Sequence, residues 1–361
     1  MDERGSAFRR FRADRAASGA ALALIALALF AFLGPFLAPL AYDKAYPDYV
    51  KARPSLAAHP NAAEALAALG RVADHMHVTL ASSAPQGDAL AATLTASRPI
   101  DVRLLAYFPR SDAFGEAKVI AARDDGKTLD VVAPFKRAPL YAGADANGRD
   151  LLSRMMVGAR ISFLVGALGS AVAVLIGVAY GAVAGYAGGR VDAIMMRAVD
   201  ALYALPFIFF VILLVAFFGR RFELIFLAIG AVEWLDMARL VRGQTLSLKR
   251  REFVAAAEAM GVAPIDVLKR HIVPNLMGAV AAFLAVLAPR VILLESFLSF
   301  LGLGVQEPLT SLGALIADGA HNLEDAPWLA LFPSALLSAI LFAFNILAAG
   351  LSDAFDPRSR R

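Results

Sequence analysis

Cysteine is absent from all 361 residues, which excludes disulfides, thiolate catalysis and zinc or iron–sulfur sites built on sulfur. Charge is scarce as well: Asp, Glu, Lys and Arg together make 18% of the chain, against 59% hydrophobic residues. A soluble domain runs nearer about 45–50% apolar, and here the excess is gathered into runs too long for a soluble core. The composition therefore points to an integral membrane protein. A formal net charge of +4 does not argue for a nucleic-acid partner, because most of the basic residues flank apolar runs. Histidine is sparse too. His59, His75 and His77 fall in one polar segment with no accompanying carboxylate geometry, so solvated surface histidines are preferred over a metal site.

A helix needs roughly 20 apolar residues to cross about 30 Å of hydrocarbon. Six stretches qualify, roughly 19–41, 161–186, 195–218, 222–241, 276–300 and 328–351. The first follows Arg4, Arg9, Arg10, Arg12 and Arg15 in the manner of a signal peptide. Its apolar run exceeds the usual signal core of about 7–15 residues, so an uncleaved anchor is expected. The N-terminus, the turn with Arg190 and Arg197, the 239–271 segment and the tail with Arg358, Arg360 and Arg361 are basic. The 301–327 loop has no Lys or Arg but carries Glu307, Asp318, Glu324 and Asp325. The positive-inside rule then puts both termini in the cytoplasm. Arg220 and Arg221, in a short outside turn, run against that assignment. Pro206, Pro289 and Pro333 interrupt spans and predict kinks. Gly177, Gly181 and Gly185 recur at i, i+4, i+8, a smooth ridge for close helix packing.

The expected organisation is an all-α polytopic membrane protein with a small α+β domain inserted outside. Residues 1–18 form a cytoplasmic N-terminus, 19–41 the first span, 42–148 the extracytoplasmic domain and 149–361 the core with the remaining spans. Within 42–148, the pattern 61–72 predicts a short amphipathic helix with Ala65, Leu66 and Leu69 on one face. Strands are expected at 102–108 and 118–132, the latter folded into a hairpin at 124–127. Gly126-Lys127-Thr128 resembles the end of a phosphate-binding loop, but the earlier glycine that loop requires is Ala121, so chance is the preferred reading.

Between the fourth and fifth spans lies a cytoplasmic segment, 247–274. Phe253, Ala256, Ala257 and Met260 recur at i, i+3, i+4, i+7, giving a short helix one small apolar face. Gly261 ends it, Pro264 can open a second helix, and Pro274 is expected to stop that helix before the fifth span. Such a face suits a partner's groove; the plainer reading is a helix lying on the lipid surface. The stretch Phe-Val-Ala-Ala-Ala-Glu-Ala-Met-Gly at 253–261, followed by His-Ile-Val-Pro-Asn at 271–275, resembles the EAA loop of ATP-binding-cassette (ABC) importer permeases. Ala255 stands where that family's name-giving Glu usually sits. Three further motifs narrow the resemblance to the C-type permeases of oligopeptide systems: Gly-Ala-Asp-Ala-Asn-Gly-Arg-Asp-Leu-Leu-Ser-Arg at 143–154, Glu-Ser-Phe-Leu-Ser-Phe-Leu-Gly-Leu-Gly at 295–304 and Ala-Pro-Trp-Leu-Ala-Leu-Phe-Pro at 326–333. The run at 234–249 belongs with them. The likeness is close over 141–358 and loose over 1–41.

The resemblance implies the ABC type I importer permease fold and a channel subunit that itself catalyses nothing and binds no cofactor, with ATP and Mg on partner ATPases. It implies a heterodimer with a homologous permease, two cytoplasmic ATPase subunits and an extracytoplasmic peptide-binding protein. It also implies that Glu252, Phe253, Ala256, Ala257, Glu258, Met260, Gly261 and Asp266 carry the ATPase coupling. Dipeptides, nickel chelates or other solutes stay open as cargo. Glu233, Asp236, Arg239 and Arg242 follow at i+3 spacing near the inner end of the fourth span, with the basic end at the cytoplasmic interface, so local pairing into an ion ladder is expected, in preference to a proton relay of a secondary transporter. Arg290 and Glu295 lie five apart in the fifth span, on different faces of the helix, and either can border a path. A ligand-sensing receptor is the remaining alternative.

Overall fold

The computed structural model describes residues 11–219 and 221–355. Arg4, Arg9, Arg10, Arg220, Arg358, Arg360 and Arg361, on which part of the orientation argument rests, lie outside them. The chain divides into a helical unit, Met1–Gly34, Met155–Ala317 and Pro333–Arg361, and a mixed unit, Pro35–Arg154 and Asp318–Phe332.

Long apolar runs build the long helices, which tolerate the glycines and prolines inside them: α1 (Arg15–Leu37), α3 (Leu151–Ala187), α6 (Phe222–Lys249), α9 (Val273–Phe300) and α11 (Trp328–Phe355). Shorter pieces are α4 (Gly189–Tyr203), α5 (Phe207–Phe218), α7 (Glu252–Ala259), α8 (Pro264–Val267) and α10 (Leu312–Ala320). Ala31, Ala159, Ile292, Leu312, Leu337 and Ile340 form a core that joins α1, α3, α9, α10 and α11. Leu22, Ile25, Leu29 and Leu33 of α1 stand exposed, as apolar side chains do on a helix that faces lipid.

Among the described residues, four helices are long and apolar enough to cross a membrane: Arg15–Leu37, Leu151–Ala187, Pro264–Phe300 and Trp328–Ala354. A fifth follows if α4 and α5, bent by 77° at their junction, count as one span. Six were expected. The stretch 222–241 is helical within α6, but Glu223, Glu233, Asp236 and Arg239 fall inside it, and by composition alone it falls short of a span. Of the three prolines, Pro206 precedes α5 at the bend, while Pro289 and Pro333 lie inside continuous helix. Pro274 does not stop the preceding helix. The chain stays helical from Pro264 to Phe300, and Leu268–Ile272 widen into a π-turn, since Pro274 has no N–H to return to Arg270.

In the mixed unit, four strands form one antiparallel sheet in the order β1-β2-β4-β3: β1 (Thr79–Gln86), β2 (Ala89–Thr95), β3 (Lys118–Arg123) and β4 (Thr128–Pro134). Alternate residues of the two central strands turn inward, Leu90, Ala92 and Leu94 from β2 and Leu129, Val131 and Ala133 from β4. They pack with Ala65, Ala68, Leu69 and Val72 of α2 (Ala62–Met76). Asn61 and Glu64 form a capping box at its start, satisfying two amides that helix geometry leaves open. Leu66, expected on the inner face, is exposed, because the buried stripe runs 65, 68, 69, 72. The hairpin at 124–127 is present, pairing β3 with β4. Residues 102–108 are not a strand: Val102–Tyr107 is a 3-10 helix with Asp101 accepting from the Arg103 amide at 2.9 Å. Leu105 and Phe108, three apart, both reach the core in that form, which strand alternation would forbid. The β1–β2 hairpin was missed, although Gly87-Asp88 before the alternating 90, 92, 94 is its signal.

Candidate functional site

The segment after α6 is a compact helix–turn–helix. Arg250 and Arg251 turn the chain into α7. At its far end Gly261 sits at φ +79°, its amide bonded to Glu258 O at 3.0 Å and that of Val262 to Ala257 O at 3.1 Å. This paired closure needs a left-handed residue, which glycine adopts without strain. Val254 and Ala257 are buried, as are Val267, Leu268 and Ile272 beyond the turn. Phe253, Ala256 and Met260 are exposed, Met260 at 77%. The expected face is thus corrected at one position: Ala257 turns inward beside Val254, one turn apart, leaving Phe253, Ala256 and Met260 as the outward apolar surface. Glu252 is exposed. Glu258 accepts from the Tyr186 hydroxyl at 2.9 Å, while Lys249 Nζ donates to Tyr186 O at 2.6 Å, so the end of α3 holds both α6 and α7. Asp266 pairs with Arg270 at 3.5 Å.

The glycine ridge of α3 lies against α6. A Cβ at Gly177 would stand 2.5 Å from Met237 Cβ, one at Gly181 2.4 Å from Ala238 O, and one at Gly185 2.8 Å from Arg242 O. Backbone and Cβ atoms occupy the space, so no side chain fits without separating the helices.

The four charges spaced at i+3 along α6, Glu233, Asp236, Arg239 and Arg242, do not pair with one another. Asp236 Oδ2 accepts from Arg290 Nη1 at 2.7 Å and Glu233 Oε1 lies 3.4 Å from Arg290 Nε, both reaching α9. Arg239 pairs with Asp200 at 2.9 Å, and Arg242 with Asp192 at 2.5 Å, both on α4. The expected local ladder is replaced by three inter-helix clasps, the partners Arg290, Asp200 and Asp192 arriving from α9 and α4. Asp192 and Asp200 were not singled out from sequence, and no spacing there marks them. Glu295 is fully buried and accepts hydroxyl bonds from Ser162 at 2.9 Å and Ser299 at 2.7 Å. Arg290 and Glu295 have separate partners.

In the mixed unit the 143–154 motif closes on Asp145. Its carboxylate accepts from the amides of Asn147 and Arg149 and from Arg149 Nε, each at 2.8 Å, and from Arg154. Burial pushes its pKa up, but the Arg149 amide, the Arg154 charge and the Arg149 side chain outweigh that and hold it below the usual carboxylate range. Asp150 caps the start of α3 through the Ser153 amide at 2.9 Å, and there burial prevails and its pKa is raised. His59, expected solvated with no carboxylate beside it, is instead buried with Nδ1 2.7 Å from Glu64 Oε2, while His75, stacked on Tyr107, and His77 are exposed as expected. Gly126 and Thr128 are part of the β3–β4 turn, where Thr128 Oγ1 donates to Asp124 at 2.8 Å.

Residues 173–361 match the sequence profile of the family described as binding-protein-dependent transport system inner membrane component. Residues 4–57 match the N-terminal TM domain of oligopeptide transport permease C. The oligopeptide transport system permease protein OppC of Escherichia coli K12 is 56% identical over 228 residues, 63% of this chain and 76% of that protein. OppC of Haemophilus influenzae is 53% identical over 228 residues, 63% of this chain and 73% of that protein. The dipeptide transport system permease protein DppC of Bacillus subtilis is 44% identical over 222 residues, 61% of this chain and 69% of that protein. The chain belongs to the binding-protein-dependent transport inner-membrane components, in their oligopeptide permease C group.

Proposed function

We propose that this chain is the channel-forming permease C subunit of an ATP-driven oligopeptide importer. It supplies half of the translocation path and carries the motion of the ATPases into the membrane through α7. In this reading it crosses the membrane six times, α4 with α5 and α6 included, both termini are cytoplasmic and the α2–sheet region lies outside. Its partners are a homologous permease, two ATPase subunits that hold ATP and Mg, and an extracytoplasmic peptide-binding protein.

One observation carries the coupling role. Phe253, Ala256 and Met260 expose an apolar surface on α7, while Val254 and Ala257 anchor the same helix inward and Tyr186 ties its Glu258 to α3. A surface small enough to enter a groove is thereby joined rigidly to the membrane helices. Overpacking such a groove costs about 1–3 kcal/mol, and an unpaired buried charge costs more. Ala256→Arg should therefore abolish co-purification of the ATPases while leaving the chain inserted. Full ATPase binding and peptide-stimulated hydrolysis by Ala256→Arg would remove α7 from the coupling role.

A further inference from the structure

Glu233 and Asp236 flank the midpoint of α6, and Arg290 lies within the central third of α9. Read as a span, α9 places the Arg290 guanidinium deep in the hydrocarbon, and the two carboxylates meet it from the inner part of the 222–241 stretch. The Arg290 side chain is nevertheless 49% exposed, whereas its partner Glu233 is 2% exposed and Asp236 21%. A guanidinium at that depth cannot face lipid without a large cost, so its open side faces water or protein. The two carboxylates approach from α6, which fixes the group in place while about half of the side chain stays open. Val286 and Phe297 stand exposed on the same face of α9, so the guanidinium is a polar spot on an apolar wall.

We propose that this face of α9 is a wall of the water-filled path, and that Arg290 offers its outward N–H donors to carbonyl and carboxylate oxygens of the passing peptide. The inference rests on the importer reading above. Every peptide carries those oxygens, whatever its side chains. The flanking carboxylates also matter: an isolated guanidinium would hold a peptide carboxylate tightly, and transport needs each stop to be weak enough to leave. Arg290 clamped by two acids gives an oxygen a directional donor without a deep electrostatic trap.

The native absence of cysteine allows a direct test. The complex with its partner subunits is assembled in lipid vesicles, carrying Arg290→Cys together with Glu233→Gln and Asp236→Asn so that no buried charge is left unpaired. A charged, water-soluble thiol reagent reacts only with a thiolate that water reaches. Position 290 should label, peptide supplied during ATP turnover should slow that labelling by occluding the face, and Ile25→Cys on the outer apolar side of α1 should stay unlabelled. Tyr203→Cys, beside the same clamp, serves if the triple variant does not assemble. No labelling at either position in an assembled complex would place this face against lipid or the partner permease and overturn the proposal. Labelling that peptide does not slow would overturn the peptide contact. Failure of the unsubstituted complex to take up peptide would instead overturn the importer reading.

Discussion

Replacing Gly181 by leucine should loosen the helical unit in a way that the same replacement at Gly243 does not. A Cβ at Gly181 would stand 2.4 Å from Ala238 O, where real Cβ contacts essentially never fall under 3.0 Å, so α3 must retreat from α6 by about 0.6 Å before the rest of the side chain is placed. The obstacle is a backbone carbonyl, which cannot swing aside. Retreat also opens the contacts at Gly177 and Gly185 on the same ridge, against Met237 and Thr245. A Cβ at Gly243 meets nothing within 4 Å. Both positions lie in helix, so the gain in helix propensity, about 0.5–1 kcal/mol, is common to the two and cancels in their difference. What remains is overpacking, about 1–3 kcal/mol, and the middle of that range changes the folded-to-unfolded ratio roughly thirtyfold. The measurement is the fraction of protein that stays monodisperse in detergent after stepwise heating. Gly181→Leu should lose its peak at a clearly lower temperature than Gly243→Leu. Coincident melting would mean that α3 and α6 are not in backbone contact along this ridge.

Topology can be checked with single cysteines in intact cells: an impermeant thiol reagent should mark Gln86→Cys, at the exposed end of β1, and spare Arg250→Cys; labelling at 250 would invert the orientation. His59 and Ala138 pair backbone to backbone at 2.9 and 2.8 Å, so a short linker between them can excise the α2–sheet region cleanly. That deletion should leave ATPase co-purification intact and reduce uptake, and unchanged uptake would make the region dispensable. Acid should weaken the mixed unit through Asp48. Burial raises its pKa, but the Ser111 hydroxyl, Arg71 and the Asp112 amide together hold it below the usual range. A depressed folded pKa means stabilisation present above the ordinary carboxylate value and lost as pH falls through the folded one. Hydrogen-exchange protection at Asp112, whose amide donates to Asp48 at 2.9 Å, should collapse over that window, and Asp48→Asn should remove the pH dependence.

Sequence alone determined the class of this protein, the extent of most apolar helices, the turn at Gly261 and the small-residue face of α3, because each depends on local spacing. A run of apolar residues is too long for a soluble core whatever surrounds it, and a glycine that must close a helix in the left-handed region is marked by its own position. The oligopeptide permease C group was also within reach, since the motifs at 143–154, 253–261 and 295–304 are contiguous. Tertiary structure decided everything that depends on a second element. The i+3 charges of α6 looked like partners of one another, yet Arg290, Asp200 and Asp192 arrive from α9 and α4 and take their places. Whether Ala257 or Ala256 turns outward was settled by what lies beneath α7. Leu105 and Phe108 share a core only because the chain coils there, and β2 lies between β1 and β4 because its alternate residues meet those of β4 over α2. Local patterns specify which faces can be buried; only packing selects the neighbour that buries them.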